Sequence, residues 1–288
     1  MNPSSLTARA RLAEKIAFFL LFLSTLVIVI PVILITWLIL KNGFEALTVE
    51  FLTQSPRLGM RAGGIFPAIM GTLYLVLGTM IFALPVGIFA AVYLSEYSKD
   101  NWLKRTIDIA IVNLAGVPSV VYGLFGLGLF VVFLKFGTSI LAGSLTLAIM
   151  SLPVMITASR EALSTVPQSF REASLALGAT KWQTIRRVVL PNALPGIITG
   201  TILALSRAAG ETAPILFTAA AFYLPRLPRS VFDQCMTLPY HLYVISTQVP
   251  NIKPKVQYGT ALVLVLMVLA MNIVAVVIRA RFRKKKQW

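Results

Sequence analysis

Six long apolar runs, separated by short polar breaks, organise this chain of 288 residues. They cover 16–40, 66–92, 107–134, 140–157, 194–217 and 261–278. A helix that crosses a bilayer needs about 20 mostly apolar residues, and each run approaches or exceeds that length. Segments of about 10 residues with alternating polarity do not recur, which excludes a transmembrane β-barrel. Backbone groups in lipid must be paired within the protein, so the runs are expected as helices. The expected fold is therefore an all-α polytopic membrane protein of six transmembrane helices, in three parts. Residues 1–15 form an N-terminal segment, 16–278 the transmembrane domain, and 279–288 a basic tail.

Composition agrees with the pattern: 57% hydrophobic residues, 12% charged residues and a mean hydropathy of +0.83. The first run is far too long for a cleaved signal, and no small-x-small site follows it. Pro31 is expected to kink it, as transmembrane helices tolerate. The third run is ambiguous, because Gly116-Val117-Pro118-Ser119 interrupts it and Gly123, Gly126 and Gly128 follow. It reads as one broken helix or as two. Basic residues decide between them. Six spans place 17 Lys and Arg residues on the side of the two termini and 8 on the other, whereas seven spans give 14 against 11. The positive-inside rule prefers six, with both termini cytoplasmic.

The net charge of +16 is explained in the same way. Arg279, Arg281, Arg283, Lys284, Lys285 and Lys286 end the last span, where basic clusters anchor topology and attract anionic lipid headgroups. No aromatic-interleaved patch accompanies them, so nucleic-acid binding is not expected. Cys235 and His241 are single residues of their kind. One cysteine cannot form an internal disulfide, and no His, Cys or carboxylate group has metal-ligand spacing. A lone loop histidine is expected to be solvated or hydrogen-bonded. No Gly-Lys dipeptide occurs, so the chain has no Walker-type phosphate loop and any ATPase belongs to another subunit.

The segment 160–191 is a polar island between apolar runs. Thr165-Val166-Pro167-Gln168 and Thr180-Lys181-Trp182-Gln183 each read as a capping box, and Gly178 between them suits a left-handed helix end. The expectation is helix, glycine corner, helix. Inside the fifth run lie Arg207 and Glu211, four apart and so on one helical face. A charge at membrane depth costs about 2.5 kcal/mol or more and is normally turned to the bundle interior or a polar path. Gly196, Gly200, Ala204 and Ala208 form a small-residue stripe on the same helix, suited to close packing of another helix. Arg207 beside that seam reads as a cation at a subunit interface. Its planar fork can donate two parallel hydrogen bonds to a tetrahedral oxyanion, while Glu211 can neutralise it in the empty site or accept a proton from a protonated oxyanion. The plainer reading is a structural Arg–Glu pair. Asp108 is expected in an ion pair or at a helix start near Lys104 and Arg105.

Several of these stretches resemble a known family. Glu172-Ala173-Ser174, then Gly178, then Val188-x-Leu190-Pro191, has the spacing of the EAA motif of ABC-importer permeases, with Ser174 and Val188 as its departures. Ser206-Arg207-Ala208-Ala209-Gly210-Glu211-Thr212-Ala213-Pro214 resembles a segment of phosphate-specific importer permeases. So do Gly64–Thr72 and the stretch from Pro85 to Tyr97. Met236-Thr237-Leu238-Pro239 with His241-Leu242-Tyr243 is similar to the outer loop of the A-type subunit.

The resemblance runs from the first span onward. It implies a type I ABC-importer permease with cytoplasmic coupling helices, which moves inorganic phosphate across the bacterial cytoplasmic membrane by alternating access. Glu172, Ala173, Gly178, Leu190 and Pro191 would couple to the ATPase, and Arg207 and Glu211 would line the substrate path. The implied partners are a C-type permease subunit, two ATPase subunits that bind ATP and Mg, and an extracytoplasmic phosphate-binding protein, which would meet the loop 221–258. The chain itself would carry no cofactor and no catalysis. The competing readings are a permease for another oxyanion or small solute, and a membrane scaffold of a phosphate-sensing complex.

Overall fold

The computed structural model describes residues 8–284, with side chains from 10 to 281. Segment 1–7, Lys285 and Lys286, and the side chains of Arg9, Arg283 and Lys284 lie outside the described residues. Helices dominate. They are α1 (Ala8–Gly43), α2 (Val49–Thr53), α3 (Phe66–Val92), α4 (Trp102–Ala115), α5 (Ser119–Gly126), α6 (Ile140–Ser164), α7 (Gln168–Ala176), α8 (Lys181–Thr184), α9 (Leu190–Gly210), α10 (Ala213–Thr218), α11 (Leu238–Thr247) and α12 (Pro254–Lys284). Two residues each of β1 (Pro56–Arg57) and β2 (Ala62–Gly63) make a small antiparallel hairpin after α2.

Among the described residues, five helices are long and apolar enough to cross a membrane. The third run forms a bent pair, α4 and α5, which meet at 102° across the Gly116–Pro118 break and make a sixth crossing if the pair is one span. Proline disfavours helical backbone in the residue before it, which explains the break. Past α5 the chain continues as a π-helical turn, Leu127–Phe133. Pro31 lies inside an unbroken α1, a long helix whose side chains are almost all exposed and which touches the rest mainly through α12.

α6 is the central element. It packs on α3, α5, α9 and α10, and most of its inward side chains are buried. The seam between α6 and α9 explains the small residues of the fifth run. A Cβ at Gly196 would lie 2.6 Å from the Ala162 Cβ, and one at Gly200 would collide with Ala158. Ala158 and Ala162 are themselves four apart, so both helices present matching small rows and their backbones approach closely. The partner of the stripe is thus a helix of this same chain. α12 then closes on α9, where the Ser206 hydroxyl donates to Asn272 Oδ1 at 3.0 Å.

Three expectations need correction here. Thr165 does not start α7: it is the C-cap of α6, its hydroxyl donating to the Ala162 carbonyl at 2.8 Å, and α7 starts after Pro167 with no side-chain cap. The fifth span does not run on to 217, because the helix stops at Gly210 and a short α10 follows. The loop 221–258 is not wholly loop. It contains α11, whose Leu238, Pro239, Tyr240, His241, Val244 and Ile245 are buried among α3, α9 and α12.

Candidate functional site

Two regions carry the chemistry that the sequence singles out. The first is the corner 160–191. α7 ends at Ala176 with Leu177 as its C-cap, Gly178 adopts φ +82°, and Thr180 caps α8 with the full reciprocal capping box to Gln183. The Thr180 backbone N–H donates to Gln183 Oε1 at 2.8 Å and the Gln183 N–H to Thr180 Oγ1 at 3.3 Å. Nothing lies within 4 Å of a Cβ built at Gly178, so its glycine answers a backbone need and not a steric one. Ser174, one of the two departures from the motif, hydrogen-bonds Thr184 at 2.9 Å and so ties α7 to α8.

The sequence gives little sign of what anchors this corner. Arg171 reaches from α7 to Glu96, with Nη2 2.7 Å and Nε 3.2 Å from Oε1. Its remaining donors meet the Val166 and Leu163 carbonyls at 2.7 and 3.0 Å. Its side chain is 14% exposed and that of Glu96 9%. Such a forked, multiply hydrogen-bonded pair is the arrangement in which burying charge is tolerable. A charged residue flanking a polar island offers no pattern that would reveal a partner 75 residues away. Nearby, Arg160 pairs with Asp108 at 2.5 Å, so Asp108 is an ion-pair residue as expected, although its partner is on α6.

Ile185, Val189, Val166 and Leu163 bury the inner face of the corner against the end of α3. The outer face is uncovered: α7 has no buried residue, Leu177 is 90% exposed, and Glu172 and Ala173 are exposed. Leu190 and Pro191 open α9 after a π-helical turn, Ile185–Val189.

The second region is the end of α9. Its buried face is Thr201, Ala204, Leu205, Ser206, Ala208 and Ala209, whereas Leu203, Arg207 and Gly210 share the uncovered face. Arg207 therefore points away from the small-residue seam. It is 58% exposed, and its Nε stands 3.5 Å from Glu211 Oε1. That distance is long for a charge-assisted hydrogen bond, so the guanidinium is loosely held. Glu211 lies just past the helix in extended backbone and is only 17% exposed. The two residues are brought together, but by a helix end and its first extended residue. On α5, the Tyr122 hydroxyl donates to the Leu114 carbonyl at 2.8 Å across the bend.

His241 corrects another expectation. It is buried on α11, and its Nδ1 has no hydrogen-bond partner in the protein. Burial pushes its pKa down to about 4. Cys235 is buried as well, and burial pushes its thiol up to about 12, far from thiolate chemistry.

Known proteins place this architecture. Residues 83–287 match the family model described as "Binding-protein-dependent transport system inner membrane component". The chain is 37% identical over 279 residues to a Mycobacterium tuberculosis protein named phosphate transport system permease protein PstA 1, covering 95% of this chain and 91% of that one. It is 36% identical over 251 residues to a Bacillus subtilis probable ABC transporter permease protein, YqgI, covering 82% and 85%. Among solved structures, a bacterial ABC transporter for alginate import is similar with a TM-score of 0.64 at 15% identity, over 96% of this chain and all of that one. An inward-facing MetNI methionine transporter gives 0.57 at 19% identity, over 76% and 94%. These two share the fold. The chain belongs to the family of inner-membrane components of binding-protein-dependent transport systems, and is a multi-pass membrane protein.

Proposed function

We propose that this chain is the A-type permease subunit of an ATP-driven phosphate importer, and that it passes the anion by alternating access without catalysing a reaction itself. The near full-length similarity to proteins named as phosphate transport permeases supports the substrate. The observation that carries the mechanism is Arg207, a cation left exposed and loosely paired on the uncovered face of an otherwise uncharged helix. A guanidinium in that state can exchange its 3.5 Å contact with Glu211 for a bidentate contact to a passing oxyanion. Glu211 takes the charge back when the anion leaves. The path would be completed by a C-type permease subunit facing α9.

The uncovered face of α7, with Glu172, Ala173 and Gly178, and the start of α9 at Leu190 and Pro191 would meet one of two ATPase subunits, which bind ATP and Mg. Both termini would then lie in the cytoplasm and 221–258 outside, toward a phosphate-binding protein. The test is phosphate uptake measured beside the amount of assembled complex. Arg207→Gln keeps the size roughly and removes the charge; uptake should be lost with assembly intact. Arg207→Lys loses the planar fork and should be impaired too. Normal uptake by Arg207→Gln, or loss that follows failed assembly, would make Arg207 a packing residue. If sulfate stimulates the ATPase of the whole complex as well as phosphate does, the substrate assignment fails.

A further inference from the structure

Glu211 has a second neighbour that the Arg207 pair does not explain. Thr237 is the N-cap of α11, a helix of ten residues, yet its side chain makes no capping bond. It is 1% exposed, and its Oγ1 has no hydrogen-bond partner in the protein. A buried hydroxyl left unpaired costs free energy comparable to a lost hydrogen bond, so such a group implies a partner of another kind.

Thr237 lines a small cavity that also touches Glu211, Thr72, Ala208, Ile215 and Pro239. The cavity measures about 10 Å³. That is about the room one water molecule requires, and far too little for a tetrahedral oxyanion. The Thr72 hydroxyl is already engaged on both sides: it donates to the Ala68 carbonyl at 2.8 Å and accepts from the Leu238 N–H at 2.9 Å. Among the other lining residues, only Thr237 and Glu211 have polar side chains. The cavity also abuts the first turn of α11, where the helix dipole favours negative charge.

We infer that Thr237 is a positioning residue for Glu211, acting through one buried water held between its hydroxyl and the carboxylate. This deepens the reading of Arg207 and Glu211 as the anion path and rests on it for its purpose. The water and the start of α11 fix Glu211, while Arg207 is held only by a long contact and is largely exposed. When an anion arrives the arginine moves and the carboxylate stays. The same link joins the pair to α11, the helix of the segment expected to meet the binding protein, so a displacement of α11 would be felt at Glu211 first.

Two measurements on the fully assembled complex test this. In a high-resolution structure, an ordered water within hydrogen-bond distance of both Thr237 Oγ1 and Glu211 is expected in the wild type and in Thr237→Ser. It is expected to be absent in Thr237→Val, which keeps the shape and removes the hydroxyl. A dry cavity in the wild type overturns the inference. Phosphate uptake per assembled complex should fall about tenfold in Thr237→Val, the scale of a lost hydrogen bond to a charged group, and stay near wild type in Thr237→Ser. Unchanged uptake in Thr237→Val, or an equal loss in both variants, overturns it as well. Neither arm uses an Arg207 variant. If the water is present and Arg207→Gln transports normally, the anion path falls and the Thr237–Glu211 link stands.

Discussion

His241 is buried and Arg171 largely covered, yet the situations of these two nitrogen-bearing side chains are opposite. Arg171 donates to Glu96 and to two helix-end carbonyls, so its guanidinium is paired within the protein. His241 has a ring nitrogen without a partner and sits in apolar surroundings, so burial holds it neutral with a pKa of about 4. Unfolding returns that ring to about 6.5, so the unfolded chain binds a proton that the folded chain refuses between these values. Stability should therefore be full above about pH 6.5 and fall as the pH drops toward 4, by up to about 3 kcal/mol at the lower end. Thermal unfolding of the solubilised complex against pH checks this. The wild type should lose melting temperature across that window, and His241→Leu should lose less of it. Parallel curves for the two proteins would rule His241 out as the cause.

At the scale of elements, the corner 168–191 is built by local chemistry and then fastened by a few distant contacts. Its glycine is a matter of backbone: φ is +82° at Gly178 and the space around it is open. A branched residue there should cost about 1–2 kcal/mol because of the left-handed conformation, whatever room it has. Asn tolerates that conformation better than other non-glycine residues. Gly178→Val should thus uncouple ATP hydrolysis from uptake or weaken assembly, and Gly178→Asn should be the milder change. ATPase activity and uptake of each purified complex decide it. Full coupling in Gly178→Val would mean that the corner can be redrawn at no functional cost. Ser174 in place of alanine is compatible with the corner because its hydroxyl pairs with Thr184 across the turn.

For the whole molecule, the central question is which side faces out. A six-span arrangement would place 221–258 opposite the termini, with Pro225, Pro228, Pro239, Pro250 and Pro254 limiting its helices. Gln248, the exposed C-cap of α11, is a suitable reporter. In Gln248→Cys, a membrane-impermeant thiol reagent should label intact cells. The native Cys235 adds little background, since it is buried and its thiol is pushed up to about 12. Labelling that requires broken membranes would invert the topology and take the binding-protein contact with it.

The sequence by itself determined the class of fold, the span of α3 to the residue, the break in the third run as one of two options, and the glycine corner with its Thr180 cap, though not the start of α7. It did so because these features are local: run length, proline and glycine geometry, and caps that bond three residues away. It also singled out Arg207 and Glu211, since charges inside apolar runs are conspicuous. Only the tertiary structure decided what those residues meet. The small-residue stripe turned out to serve α6 of the same chain, because a stripe records close approach and not the identity of the partner. Arg171 found Glu96, His241 and Thr237 proved buried with polar atoms unpaired, and a proline-rich loop folded a helix back into the core. Each of these depends on packing between segments far apart in the chain, where burial sets the cost of every unpaired polar group and no local pattern reports it.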